Sequence, residues 1–382
     1  MRLAAAMIFL VAVTVPTERL AGDLDFPTNL AVAGDGRVFF TEKDTGLVRI
    51  IKNGRLLPDP FATLDVVPGA ERGLLGVALH PEFPEEPWVY VVYSDATDGM
   101  NRLSRIRANG DVGVEVQPLL DLVPATSGYH NGGDLTFGRD GTLYVTVGEA
   151  HETERAQDPG DVGGKVLRVA PDGSIPADNP FGPDSPVYSL GHRNSFGICA
   201  DPESGAVWET ENGPSSWDEI NRIEPGGNYG WPIHLGPGGP PAFEEPVLAF
   251  EEIIVPTGCA VAGDRGGLYF GDFRGNLHRV VIPGQGGNDR SPEEDIVATF
   301  EEGITDVARG PSGELYVATR DSIWLIDARP TPSPTSIPTE SRPASEPSRA
   351  RNGSTPAEAF WLGAGAVLAL ALLLSLRFAR RG

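Results

Sequence analysis

The sequence predicts an all-β protein, a six-bladed β-propeller, with a C-terminal single transmembrane helix. Three observations predict the propeller. Glycine (48) and proline (35) are frequent and apolar residues come in short runs, the composition of a fold with many turns. A hairpin-like unit recurs six times. The spacers between the units carry further strand-like segments, enough for four strands per unit.

The six units are "LAVAGDGRVFFTE" (30–42), "LGVALHPEFPEEPWVYVVYS" (75–94), "LTFGRDGTLYVTVGE" (135–149), "ICADPESGAVWETE" (198–211), "CAVAGDRGGLYFGD" (259–272) and "VARGPSGELYVATR" (307–320). In each, alternation or a short apolar run marks two strands, and a Gly- or Pro-containing turn joins them. The spacer strands include "GLVRIIKNG" (46–54), "RLSRIRANG" (102–110) and "KVLRVAPDG" (165–173). One such unit cannot bury both of its faces. Stacked copies can, and closing the stack into a ring protects the edges.

The termini stand apart from this repeat. Residues 1–19 have a basic start and an uncharged, mostly apolar stretch from Leu3 to Thr17, which reads as a signal-like segment. The propeller is expected over 20–328. Residues 329–357 are rich in Pro, Ser and Thr and are expected to form an extended stalk. Residues 358–382 carry an apolar run of nearly membrane-spanning length before "RFARRG", so a transmembrane helix with a cytoplasmic basic tail is expected. The expected location is therefore the cell membrane, with the propeller exported to an extracellular or periplasmic space. The formal net charge of −23 argues against a nucleic-acid partner.

In a propeller the first strand of each hairpin lines the central channel, and the residue before it sits at one mouth. His130 stands 11 residues before the turn glycine Gly141, and Arg193 stands 12 before Gly205. Glu71 and Thr305 take the comparable places in blades two and six. The returning strands end on Glu42, Glu149, Glu211 and Asp272. The spacing thus gathers an imidazole, a guanidinium and several carboxylates at one mouth. Such a His can serve as a general base oriented by a carboxylate, or it can be a turn residue bonded to backbone. Arg193 can hold carboxylates or quinone oxygens, or pair with a neighbouring glutamate.

"ENGPSSWDEINRIEPGGNYGWP" (211–232) mixes carboxylates with exposed carbonyls, the donor set that calcium takes. The same residues can equally cap turns and pack between blades. No Cys/His cluster has zinc-site spacing. Cys199 and Cys259 fall in corresponding strands of blades four and five. Export permits a disulfide there, but neighbouring inner strands can hold two Cα atoms too far apart, so the pairing stays open.

The stretches "GLLGVALHPEF" (73–83), "HNGGDLTFGRDGTLYVTVGE" (130–149), "GKVLRVAPDGSIPADNPF" (164–181), "LGHRNSFGICADP" (190–202) and "DEINRIEPGGNYGWP" (218–232) resemble the soluble glucose/sorbosone dehydrogenases. These aldose sugar dehydrogenases use pyrroloquinoline quinone (PQQ). The resemblance spans about residues 25–327 and implies a six-bladed propeller. It implies that His130 is the base that takes the hydroxyl proton at the sugar's anomeric carbon while hydride passes to PQQ. It further implies cofactor contacts from Arg193 and Asn194, and from Glu71, which stands where the family has a glutamine. Glu149 matches the family carboxylate that ends "TVG-(D/E)". Calcium is held in some members through the residues matching Glu219 and the Tyr229 carbonyl. In others the carbonyls matching Gly213 and Pro214 hold it.

The chain departs from that pattern before the last inner strand. Members often read "R-x-R-D-V" there, with both arginines on the quinone, and this chain has "GITDV", with Gly303 and Thr305 in their places. A cofactor lysine found in some members after the fifth inner strand is also missing. Gly263 stands near that place, and Arg265 and Arg274 are the nearest cations. The expected function is a calcium-dependent, PQQ-linked oxidation of an aldose at its anomeric carbon, passing electrons to an acceptor the sequence does not name. The alternative is a redox-inactive surface propeller that binds a carbohydrate or a protein. Lactone hydrolysis follows from fold analogy alone.

Overall fold

The computed structural model describes residues 17–262, 267–282 and 291–326, and they form six four-stranded antiparallel blades. Blade one comprises Pro27–Val32, Val38–Glu42, Leu47–Lys52 and a broken outer edge, Arg55–Leu56 and Ala62–Thr63. Blade two is Leu74–Leu79, Trp88–Ser94, Met100–Asn109 and Val112–Pro124, and blade three is Gly132–Phe137, Leu143–Val147, Lys165–Val169 and Val187–Leu190. Blade four is Ser195–Ala200, Val207–Glu211, Asp218–Ile223 and Leu248–Phe250. Blade five is Pro256–Ala262, Gly267–Asp272, Asn276–Val281 and Glu293–Thr299. The six repeated hairpins are the two inner strands of the six blades, as expected.

Blade six closes the ring. Its strands Ile304–Arg309, Leu315–Thr319 and Ile323–Ile326 are completed by Thr17–Ala21, which pairs antiparallel with Ile323–Ile326. The first and last described strands thus share one sheet, which closes the ring. The expected signal-like segment, 1–19, overlaps this strand at Thr17–Arg19, and residues 1–16 lie outside the described residues. So do the expected stalk (329–357) and transmembrane helix (358–382). Among the described residues no helix is long and apolar enough to cross a membrane.

Second strands are buried on both faces because blades stack face to face. All five residues of Val38–Glu42, of Leu143–Val147 and of Val207–Glu211 are buried. This is why "VFF" and "LYVTV" read as apolar runs rather than as clean alternation. Phe39 packs edge-on against Phe61 at 5.3 Å and Phe83 at 5.5 Å. Truncating a ring so enclosed typically costs about 3–5 kcal/mol.

One feature recurs in every blade. The pairing of first and second strands slips near the start of each first strand, between Pro27 and Leu30, Leu74 and Gly76, Gly132 and Leu135, Ser195 and Gly197, Pro256 and Cys259, and Ile304 and Asp306. Bulges bend a strand and re-aim its side chains. All six lie at the same end of the channel. Cys199 and Cys259, on the inner strands of blades four and five, form a disulfide with Cα atoms 5.6 Å apart. The bulges and the stacking bring those two strands within reach, which resolves the pairing that spacing leaves open.

Candidate active site

The mouth at the bulged end holds a cavity of about 470 Å³ lined from all six blades, among others by Thr28, Glu71, Gly132, Phe196, Thr257 and Thr305. A second cavity of about 480 Å³ opens at the far end of the channel, and Asp134 borders both. Asp134 and Asp306 are buried between them. Burial pushes Asp134 up to about 7. Burial first, and then the charge of Asp134, hold Asp306 well above the usual carboxylate range.

His130 sits at the first mouth. Its backbone is left-handed (φ 56°), a conformation held by two hydrogen bonds: its N–H to Glu71 Oε2 at 2.7 Å, and the Ala150 N–H to its carbonyl at 3.0 Å. The glycines that follow allow close approach. A Cβ on Gly133 would stand 2.7 Å from Leu75 Cβ of the next blade. The ring is braced at both nitrogens, Nδ1 2.6 Å from Glu149 Oε1 and Nε2 2.8 Å from Arg193 Nη2. A guanidinium can only donate. Nε2 therefore accepts, and Nδ1 carries the hydrogen given to Glu149. His151 meets the His130 ring edge-on at 4.2 Å and stacks on the half-exposed Tyr129.

Arg193 is fixed by the carbonyls of Asn212 (2.8 Å) and Gly213 (3.3 Å) and lies 5.5 Å from the Trp231 ring. Among the described residues it makes no ion pair, so the paired-guanidinium alternative does not hold. Asn194 Nδ2 donates to Glu71 Oε2 at 3.1 Å. The Glu71 carboxylate thereby ties the blade-three and blade-four loops together. Thr305 lines the cavity with a buried hydroxyl that has no partner, and Lys43 lines it from blade one.

The four returning-strand carboxylates do not all reach the mouth. Glu149 does. Glu42 pairs with Arg49 at 3.3 Å and Asp272 with His278 at 3.2 Å. Glu211 turns inward and accepts the N–H groups of Arg193 (3.1 Å) and Asn194 (2.7 Å). Arg274 is tied to Glu252 and the Ile253 carbonyl, while Gly263 and Arg265 lie outside the described residues.

Of the expected calcium ligands, Glu219 is buried and accepts hydrogen bonds from Gly236 N (2.7 Å) and Asn221 Nδ2 (3.2 Å). Burial raises it to about 7, and no cation pairs with it among the described residues. Tyr229 stacks on His192 at 4.6 Å, and burial raises its phenol. Gly213 and Pro214 lie in the turn beside Arg193. A different group clusters in the described residues: His192, Glu209 and Glu211. The sequence signals it faintly, as two alternating glutamates on a strand buried on both faces.

The structure is a six-bladed ring with a His braced by Glu and Arg at one channel mouth. Residues 24–324 match the Glucose / Sorbosone dehydrogenase family, and the chain belongs to it. It is 30% identical over 339 residues to the aldose sugar dehydrogenase YliI of Escherichia coli K12, covering 81% of this chain and 91% of that one. A solved structure of a glucose dehydrogenase-like oxidoreductase from Thermus thermophilus matches at 38% identity with TM-score 0.76, covering 82% of this chain and 99% of the other. The PQQ-bound aldose sugar dehydrogenase of Streptomyces coelicolor matches at 30% identity with TM-score 0.71, covering 81% and 97%.

Proposed function

We propose that the protein oxidises an aldose at its anomeric carbon using PQQ. The carrying observation is His130, held between Glu149 (2.6 Å) and Arg193 (2.8 Å) at a mouth lined by every blade. The family relatives named as sugar dehydrogenases favour this reading over a redox-inactive ectodomain.

The residues at the mouth fit the cofactor. Phe26, Phe196 and Phe273 offer apolar surface for a planar ring system. Lys43, which lines the cavity and pairs with Asp44, and Arg193, beside His130, would supply cations for carboxylates, and the unpartnered Thr305 hydroxyl a further donor. Arg193, Asn194, Thr305 and Lys43 would hold it, with Glu71 bracing Asn194. When bound, PQQ supplies the acceptor for the hydride leaving the sugar's anomeric carbon. The protein's part is the proton. His130 Nε2 takes it from the anomeric hydroxyl as the bound sugar displaces Arg193 Nη2 from that lone pair, while the Glu149 carboxylate keeps Nδ1 protonated and stabilises the imidazolium that forms. The product is the lactone.

Calcium is the second element of the reading. The Gly213 and Pro214 carbonyls beside Arg193 would hold it near the cofactor, or Glu219 with the Tyr229 carbonyl would hold it in blade four. The unpaired buried Glu219 carboxylate favours a cation there. Export and tethering by the C-terminal segment complete the proposal, and the Cys199–Cys259 disulfide supports an oxidising compartment.

The test adds PQQ, with and without calcium, to purified protein and follows dye reduction by a panel of aldoses. Turnover is expected to require PQQ and to be lost in His130→Ala while PQQ binding persists. Absence of turnover at saturating PQQ and calcium overturns the reading.

A further inference from the structure

The geometry points to a metal site inside blade four, in which His192 Nδ1 and the carboxylates of Glu209 and Glu211 bind one divalent transition-metal ion. The site lies outside the cavity and uses none of the expected calcium ligands, although Asn221 bonds both Glu209 and Glu219 and Tyr229 stacks on His192.

The three side chains come from two adjacent strands and the loop before them. Glu209 and Glu211 alternate on Val207–Glu211 and so share one face. His192 precedes the inner strand Ser195–Ala200 and turns toward that face. His192 and Glu209 are wholly buried, and Glu211 is 5% exposed.

The distances are those of ligands around an ion rather than of hydrogen-bonded partners. Nδ1 lies 3.4 Å from Glu211 Oε2 and 3.8 Å from Glu209 Oε1. Hydrogen bonds between such atoms run at about 2.7–3.2 Å. Two atoms each about 2.0–2.2 Å from a shared ion stand roughly 3–4 Å apart. All the donor atoms fall within 4.8 Å of one another.

The hydrogen bonds leave the same gap. His192 Nδ1 and Glu209 Oε1 are buried and have no partner. The other ring nitrogen, Nε2, is 2.8 Å from Ser189 Oγ. Donating there leaves the Nδ1 lone pair facing the carboxylates, the arrangement by which metal-bound imidazoles are oriented. Glu209 Oε2 accepts from Asn221 Nδ2 at 3.1 Å, and Glu211 accepts three backbone N–H groups, from Arg193, Asn194 and Asn212. No lysine or arginine among the described residues pairs with either carboxylate. Two adjacent buried carboxylates with only the His192 ring beside them are costly, and a dication offsets that cost.

One imidazole nitrogen with two carboxylates suits zinc or manganese better than calcium, which takes six to eight oxygens. The ion would also stiffen the active site from behind. His192 precedes Arg193, and Glu211 holds the N–H groups of Arg193 and Asn194.

The competing account is a proton on Glu209, and Glu209→Gln separates the two because it keeps the shape of the protonated acid. The full-length protein, without PQQ, is equilibrated with zinc or manganese, desalted and analysed for metal. About one equivalent per chain is expected in the parent, and less than a tenth of that in Glu209→Gln. A transition-metal chelator used with calcium present is expected to lower the parent's melting temperature, and zinc or manganese, but not calcium, to restore it. A parent that retains neither metal, or a Glu209→Gln variant that retains as much as the parent, overturns the proposal. If the variant does not fold, the parent's metal content and chelator response decide alone. None of these readouts needs PQQ or turnover.

Discussion

His130 Nε2 lies 2.8 Å from Arg193 Nη2, and that contact decides which ring nitrogen is the base. Arginine has only hydrogens to give, so Nε2 presents its lone pair and Nδ1–H goes to Glu149. Glu149→Gln keeps an oxygen to accept that hydrogen but removes the charge that favours the imidazolium. We expect kcat to fall about a hundredfold, within the roughly 10²–10⁴ that positioned proton transfer contributes, with PQQ affinity unchanged. The pH at which activity is half-maximal should move as well. Steady-state kinetics over pH check this, and a kcat within threefold of the parent would sink the assigned role.

Glu71 stands where the family resemblance implies a glutamine, and its carboxylate bonds both the His130 N–H and Asn194 Nδ2. A glutamine oxygen can accept both bonds. Glu71→Gln therefore keeps the loop geometry and removes a negative charge beside a tricarboxylate ligand. PQQ should bind several-fold tighter in a titration. Glu71→Ala should instead weaken binding, because it releases the left-handed His130 and the Asn194 amide together.

The arginine pair that the resemblance implies can be built at only one of its two places, Gly303 and Thr305. Thr305 faces the cavity with an unpartnered hydroxyl. Thr305→Arg adds a charged donor there, worth about 1.5–3 kcal/mol, so PQQ affinity should rise about ten- to hundredfold. Gly303 has no such room. A Cβ there would stand 2.5 Å from the Phe273 carbonyl oxygen. Gly303→Arg should lower the melting temperature and give no gain in affinity, as calorimetry on the two variants would read.

The propeller is legible because each hairpin carries its own signal: two apolar strands and a Gly-containing turn. The mouth is legible for the same reason, since counting back from the turn glycines places His130 and Arg193 on one level. The bulges are not. They depend on how neighbouring inner strands crowd at the axis, which no single blade encodes. Glu42 and Asp272 therefore stand at the predicted level but turn to Arg49 and His278 instead. The closing strand Thr17–Ala21 is hidden because its partner lies some 300 residues away and its own sequence, "TERLA", has no strand pattern. His192 and Glu209 are hidden because their meeting is a matter of packing between a loop and a strand.

The disulfide should stabilise the ring without touching catalysis. Cys199 and Cys259 are 60 residues apart. Closing a loop of that length restrains the unfolded chain by roughly 4 kcal/mol in the chain-entropy account. Reduction should lower the melting temperature by on the order of 5–10 °C. Both cysteines border the far cavity and not the mouth, so kcat at 25 °C should be unchanged. Thermal melts and turnover with and without reductant test this.

The buried pair Asp134 and Asp306 gives the fold a pH dependence of definite sign. Asp134 is raised to about 7 by burial, and Asp306 is raised well above the usual carboxylate range by burial and then by the charge of Asp134. In the unfolded chain each would titrate near 4. The folded protein thus keeps protons that the unfolded chain releases, so between about pH 4 and pH 7 Asp134 makes stability fall as pH rises, and Asp306 acts in the same sense. Below that window the trend reverses, because carboxylates such as Asp35 and Asp140 are lowered in the fold despite burial, through hydrogen bonds and the charges of Arg37 and Arg168. Asp306→Asn isolates the pair. An asparagine oxygen can still accept the Leu30 N–H, bonded at 2.7 Å by Asp306 Oδ2, and Asp134 loses its charged neighbour. The variant should gain stability relative to the parent as pH rises from 5 to 8, and its denaturant midpoint should vary less with pH. Parallel pH profiles in parent and variant would mean that the two carboxyls do not share the proton load the burial implies.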